Sequence, residues 1–299
     1  MRDPTPTAVI RDEPMARHTS WRVGGPADLY AEPADEAELA AFLASLPEAT
    51  PVYFVGLGSN LLVRDGGVRG AVVATGALKR RLERVDDVHV TAGAGLPCAL
   101  LARQCVRWQL GPAAFFAGIP GTVGGALAMN AGAFGGETWN HVESVETIDR
   151  RGERRTRARG EYRIGYRSVL PIQGGEEWFL AATFRFEHDE SLDKSAIKAM
   201  LDRRAASQPT GVASCGSVFR NPPGAYAGEL IERVGLKGTK LGGAMVSDKH
   251  ANFIVNTGSA TAEDIETLIE SVRRRVREET GIELELEARV IGEHLRGRQ

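Results

Sequence analysis

Gly118-Ile119-Pro120-Gly121-Thr122-Val123-Gly124-Gly125-Ala126, followed by Asn130-Ala131-Gly132-Ala133, packs glycine into a stretch with no charged side chain between Arg107 and Glu137. Such a segment exposes bare backbone N–H groups and admits another surface closely, because glycine has no Cβ and tolerates positive φ. That is a chemistry suited to phosphates. A neutral run of this length could span a membrane, for which about 20 apolar residues suffice, but Pro112, Pro120 and the glycines break it. A turn-rich structural loop would account for one such cluster alone. A second cluster changes the reading. Val52-Tyr53-Phe54-Val55 reads as a buried strand that runs into Gly56-Leu57-Gly58-Ser59-Asn60 and then into Leu61-Leu62-Val63. The third glycine of a dinucleotide fingerprint is missing and no helix pattern follows, so strand-turn-strand is expected. Two neutral glycine turns suit an elongated ligand with a pyrophosphate at its waist.

With 299 residues and 42% hydrophobic content, the chain can bury a sizeable core and divides into two or three domains. A formal net charge of -2 gives no electrostatic reason to expect nucleic acid or an anionic membrane, so the expected partners are small molecules. Cys98, Cys105 and Cys215 show no metal-ligand spacing and read as reduced thiols of a cytoplasmic protein; no metal site is expected. Residues 1–15 mix charges with prolines, lack the apolar core of a signal peptide, and are expected to form a flexible tail.

Asp35 with Glu38 forms a capping box ahead of Leu39, Phe42, Leu43 and Leu46, which predicts an amphipathic helix. Strands are expected at 52–55, 71–75 and 88–92. A second helix opens at Pro97, turns Leu100, Leu101 and Cys105 inward, and stops at Gly111-Pro112. Strands at 142–149 and 178–186 flank an arginine-rich stretch, 150–159, whose Gly152 and Glu153 suit a solvated hairpin tip better than a nucleic-acid patch. A helix over 192–207 carries Ile197, Met200 and Leu201. Beyond Gln208-Pro209 come a short helix at 227–234, a strand at 252–255, a helix from Thr261 and Asp264 to Gly281, and a final strand over 282–291. Antiparallel-looking strands with irregularly inserted helices predict α+β rather than a doubly wound sheet.

Ser217, in Ser214-Cys215-Gly216-Ser217-Val218-Phe219-Arg220-Asn221-Pro222, sits in a turn where a serine ordinarily just caps backbone groups. As a nucleophile it would need a histidine base; none of the six histidines has a hydrolase context, so a catalytic Ser217 would donate a proton. Arg167, within Tyr162-Arg163-Ile164-Gly165-Tyr166-Arg167, can clamp a carboxylate or phosphate bidentately. Glu283, Glu285 and Glu287 alternate along the last strand and share a face, which by default is solvated.

Taken together, the two glycine clusters, Tyr166-Arg167, Gly216-Ser217-Val218-Phe219-Arg220-Asn221-Pro222, Lys249-His250-Ala251-Asn252-Phe253 and Glu285-Leu286-Glu287 closely resemble the UDP-N-acetylenolpyruvoylglucosamine reductase (MurB) family, in the family's order and over roughly 18–293. The short passage from Tyr166-Arg167 to Ser217 resembles the shorter, second type; Ala288 stands where a valine is usual. The resemblance implies a two-subdomain FAD-binding region shared with vanillyl-alcohol oxidase relatives (16–76 and 77–190) and a C-terminal α+β substrate-binding domain (191–299). It implies non-covalent FAD, held by Gly56, Gly58, Ser59, Asn60, Leu61, Gly118, Pro120, Gly121, Thr122, Gly124, Gly125 and Asn130. It implies NADPH as hydride donor, UDP-N-acetylglucosamine enolpyruvate as substrate, and a role in peptidoglycan precursor synthesis. Ser217, Arg167 and Glu287 would be catalytic, and Tyr166, Lys237, Lys249 and Asn221 would meet the substrate. A monomer is expected. Two other classes stay open: an oxygen-using flavin oxidase on the same scaffold, and a non-catalytic flavin-binding module.

Overall fold

The computed structural model describes residues 7–78 and 81–295. Its α-helices are α1 (Glu36–Ser45), α2 (Cys98–Arg107), α3 (Val123–Met129), α4 (Lys194–Ser207), α5 (Ala227–Arg233) and α6 (Ala262–Thr280). Local signals start and stop several of them. Asp35 Oδ1 accepts the Ala37 and Glu38 N–H groups, both at 3.0 Å, and α1 buries Leu39, Phe42 and Leu43. Thr261 and Asp264 cap each other's backbone at the start of α6, and Gly281 ends it at a φ of 73°. The stripe Ile265, Leu268, Ile269, Val272 and Val276 is buried as its spacing requires. Each such side chain contributes about 1.5–3 kcal/mol by leaving water.

The chain forms two compact units. The first takes Met1–Ile10, Tyr30–Gly56 and Val72–Arg204; the second takes Arg11–Leu29, Leu57–Ala71 and Ala205–Gln299. In the first, a five-stranded antiparallel sheet has the order 154–158, 142–149, 177–185, 89–93, 82–84. Its core joins Leu101 and Cys105 of α2, Phe116, Leu127 of α3, Trp139, Val145 and Phe184. The α3 entry is stitched to the end of a sheet strand: Gly124 N–H donates to Ala94 O at 2.9 Å and Val123 N–H to Leu96 O at 2.8 Å.

In the second unit, strands 240–241, 244–246 and 254–256 pair antiparallel, and their core takes in the apolar faces of α5 and α6. Leu61–Val63 pairs in parallel with Arg289–Ile291. Arg64 forks onto Glu266 at 2.7–3.1 Å and reaches Gly292 O, while Asp65 accepts the Ala262 and Glu263 N–H groups at 3.0 and 2.9 Å. An early stretch of sequence is thereby locked to the last helix and strand. Among the described residues, no helix is long and apolar enough to cross a membrane.

Several expectations need correction. Of the expected tail, residues 1–6 lie outside the described residues, but Val9–Pro14 is a strand beside Pro26–Ala31 and Met15 is fully buried; backbone pairing outweighs the charged composition. The glycine run contains a helix, α3, because Thr122 caps it and its glycines permit close packing. α2 ends at Arg107, short of Gly111-Pro112, where Gln109 adopts a φ of 57°; Leu100 faces outward. In α4 only Ile197 is buried, and Leu201 is exposed. The final strand is three residues, Arg289–Ile291, and 282–288 holds only an isolated bridge at Leu286, so Glu283, Glu285 and Glu287 do not lie on one continuous strand. The three cysteines are free and buried, and burial pushes Cys98 and Cys105 up to about 12.

Burial lowers both His141 and His250 from the ordinary 6.5, with Lys237 pushing His250 the same way. Folding therefore favours the neutral imidazole, and the unfolded chain binds more protons just below that value. Stability is full above pH 6.5 and is lost as pH falls through the window beneath it. Thermal melts between about pH 7.5 and about pH 5.5 should show Tm dropping on acidification, and a His141→Gln/His250→Gln variant should drop less.

Candidate functional site

In the second unit the three residues that follow Ser217 pair antiparallel with Glu285-Leu286-Glu287 through one bridge. Arg220 N–H donates to Glu285 O at 2.8 Å, Phe219 bridges Leu286, and Glu287 N–H donates to Val218 O at 2.8 Å. Ser217 follows Gly216, whose φ of 83° lets the chain turn into the ladder. Ser217 and Glu287 are both half-buried. Desolvation raises the Cys215 thiol well above its ordinary value, and the charge of Glu287 adds to that, so the Glu287 carboxylate acts on the residues just before Ser217. Glu287 is held from its other side as well: its carbonyl accepts Asn60 Nδ2 at 2.8 Å, and Asn60 O accepts Arg289 N–H at 2.9 Å.

Asn252, part of the 249–253 motif but given no role of its own by the sequence, anchors the Ser217 segment. Its side chain accepts Phe219 N–H at 2.9 Å and donates to Phe219 O at 2.8 Å, and its carbonyl accepts Val218 N–H at 2.9 Å. Two of these bonds form a strand-like pair made by a side chain, in a residue that is 3% exposed.

In the first unit, the two glycine clusters meet at Gly56 and Thr122. A Cβ on Gly56 would lie 2.5 Å from Thr122 Oγ1, so only glycine permits the approach. Gly124 is equally tight against Ala94, at 2.8 Å, and a Cβ on Gly118 would strike Ala133 and Phe134. Gly121 O accepts Cys98 N–H at 2.9 Å. These glycines serve close packing, whereas Pro120 and Gly125 present exposed backbone. Gly58, in the second unit with Ser59, Asn60 and Leu61, has a φ of 60° and no room for a Cβ against His18 O. Arg204 is a further residue that the sequence did not single out: it donates to Gly118 O, and burial lowers its pKa.

Arg167 and Tyr166 form the two-residue loop between strands Tyr162–Gly165 and Ser168–Pro171. Arg167 has a φ of 53°, its guanidinium lies 4.8 Å from the Tyr166 ring centroid, and Nη1 donates to Asn130 O at 3.3 Å. Asn130 is 1% exposed. Of the expected substrate residues, Tyr166 is exposed, while three are engaged within the second unit. Lys237 pairs with Glu232 at 2.7 Å, Lys249 donates to Ala205 O, and Asn221 Oδ1 accepts Ala227 N–H at 3.1 Å at the start of α5.

Two family models match: an FAD binding domain over residues 27–157 and the C-terminal domain of UDP-N-acetylenolpyruvoylglucosamine reductase over residues 208–291. The UDP-N-acetylenolpyruvoylglucosamine reductase of Alkalilimnicola ehrlichii is 54% identical over 94% of this chain and 94% of its own length. The chain belongs to the UDP-N-acetylenolpyruvoylglucosamine reductase family. The Methylococcus capsulatus reductase is likewise 54% identical, over 95% of this chain and 93% of its own. The crystal structure of the Thermus caldophilus reductase superposes with a TM-score of 0.78 at 34% identity, covering 95% of this chain and 98% of that one. As in that family, an α+β FAD-binding domain carrying both glycine turns is joined to the reductase's own C-terminal domain.

Replacing Asn252 with alanine leaves the Phe219 N–H and carbonyl without these partners in a buried position. The expected cost is about 1–3 kcal/mol, read by urea denaturation of the Asn252→Ala variant; an unchanged midpoint would contradict the anchoring role.

Proposed function

We propose that Ser217, Arg167 and Glu287 are the working residues of a flavin-dependent reductase that converts UDP-N-acetylglucosamine enolpyruvate to UDP-N-acetylmuramate at the expense of NADPH. The observation that supports the reading is the backbone pairing of Val218, the residue after Ser217, with Glu287 in a chain of this family.

The residues present fit an FAD. The contact between Gly56 and Thr122 makes one wall from the two turns, and no charged side chain projects from 118–126. The N–H groups of Ile119, Val123, Gly124, Gly125 and Ala126 are bonded within the protein, so it is the remaining backbone of this neutral turn that suits a pyrophosphate without a lysine. We assign the flavin to Gly56, Gly58, Ser59, Asn60, Leu61 and the run Gly118, Pro120, Gly121, Thr122, Gly124 and Gly125, and the sugar nucleotide to the C-terminal stretch from Ala205.

An FAD held there would supply the redox chemistry, the carrying of a hydride equivalent from NADPH to C3 of the enol ether. Negative charge then gathers on C2 and its carboxylate. Arg167 meets that carboxylate with a guanidinium already oriented by Asn130 O. Ser217 gives its hydroxyl proton to C2: a C–H bond forms as the O–H bond breaks, leaving the lactyl ether. Glu287 polarises the hydroxyl or relays the replacement proton, from a residue whose backbone N–H and carbonyl are both bonded. Tyr166 is available to the substrate as it stands. Lys237, Lys249 and Asn221 reach a diphosphate or uridine by exchanging their present partners.

Anaerobic stopped-flow at the flavin band tests this reading. NADPH should bleach the flavin of both wild type and Ser217→Ala, and the enolpyruvyl sugar should reoxidise the wild type rapidly and the variant roughly 100- to 10,000-fold more slowly. A flavin that is reoxidised only by oxygen, or a variant as fast as wild type, would contradict it.

A further inference from the structure

We infer that Asn130 is a positioning residue for Arg167 rather than a flavin contact; the inference rests on Arg167 acting as proposed above. Asn130 ends α3 in the left-handed conformation, with φ 45° and ψ 52°, and is 1% exposed. Its side chain is fully engaged with protein. Nδ2 donates to Gly165 O at 3.1 Å and to Glu137 Oε2 at 3.0 Å, and Oδ1 accepts Trp139 N–H at 3.0 Å. An asparagine amide has two N–H donors, and both are spent. The amide therefore has no donor left for a flavin.

Those bonds converge on the loop that carries Arg167. Gly165 pairs with Ser168 and so closes the hairpin directly before Tyr166 and Arg167. Asn130 grips that loop twice, at its base through the side chain and at its tip through the carbonyl that accepts Arg167 Nη1 at 3.3 Å. The Arg167 arm passes over Gly132, where a Cβ would stand 3.5 Å from Nη1. Asparagine is among the few residues other than glycine that enter the left-handed region readily. It alone joins that backbone to a side chain able to donate to Gly165 O and Glu137 while accepting from Trp139. Aspartate keeps the shape but would set a carboxylate against the Gly165 carbonyl and the Glu137 carboxylate.

Two variants test the inference in the FAD-loaded protein. Asn130→Gly keeps the left-handed backbone and removes the side chain; Asn130→Asp keeps the acceptor for Trp139 and removes both donors. In each, FAD content and flavin bleaching by NADPH should stay close to wild type, while reoxidation by the enolpyruvyl sugar slows roughly 10- to 100-fold, the scale of a misplaced catalytic group. Amide hydrogen exchange over 162–168 should quicken at the same time. Loss of FAD or of bleaching in step with reoxidation would return Asn130 to the flavin site and overturn the inference. Unchanged reoxidation or unchanged exchange would overturn it as well. A wild type that the enolpyruvyl sugar does not reoxidise would instead sink the parent reading, and the exchange comparison would still decide whether Asn130 holds the loop.

Discussion

The pairing of Val218-Phe219-Arg220 with Glu285-Leu286-Glu287 is the constraint on which the proposed chemistry depends. A serine is a weak acid, and it serves as proton donor only if its hydroxyl is aimed and its neighbourhood controls where the charge goes. The pairing fixes the backbone on which Ser217 and Glu287 sit, and Asn252 and Asn60 hold it from both sides, one through Phe219 and the other through the Glu287 carbonyl. The parallel pair of Leu61–Val63 with Arg289–Ile291 and the Arg64–Glu266 fork carry that order back to the first glycine turn. The Ser217 segment and residues 58–61 thus share one hydrogen-bonded frame within the second unit.

Buried asparagines do the same work in both units. Asn252 holds the backbone beside Ser217, and Asn130 holds the backbone beside Arg167. An uncharged amide suits this use, since it offers a donor and an acceptor without the desolvation cost of a buried ion. The glycines have a double use. Gly56, Gly118 and Gly124 let segments approach closer than any Cβ would permit, and the neutral backbone they leave is what a pyrophosphate can use.

Much of this was legible in the sequence where the signal is local. The capping pairs of α1 and α6, the closing Gly281, the strand-turn-strand at 52–63 and both glycine turns are written in neighbouring residues. α3 was not, because glycine inside a helix costs about 1 kcal/mol relative to alanine. Only the non-local packing of Gly124 on Ala94 and the Thr122 cap make it favourable. The strand at Val9–Pro14 and the shortness of the last strand depend equally on partners far along the chain. The roles of Asn130, Asn252 and Arg204 were hidden for the same reason, since nothing near Asn252 in sequence announces that it will pair with Phe219. The engagement of Lys237 and Lys249 by Glu232 and Ala205 could not be read from their charge.

The most direct test of the central claim is a crystal structure of the FAD-loaded protein with the enolpyruvyl sugar bound. The account predicts Ser217 Oγ within about 3 Å of C2, the Arg167 guanidinium on the substrate carboxylate, and Glu287 against the serine. A substrate whose C2 faces a different proton donor, with Ser217 turned away from it, would contradict the account.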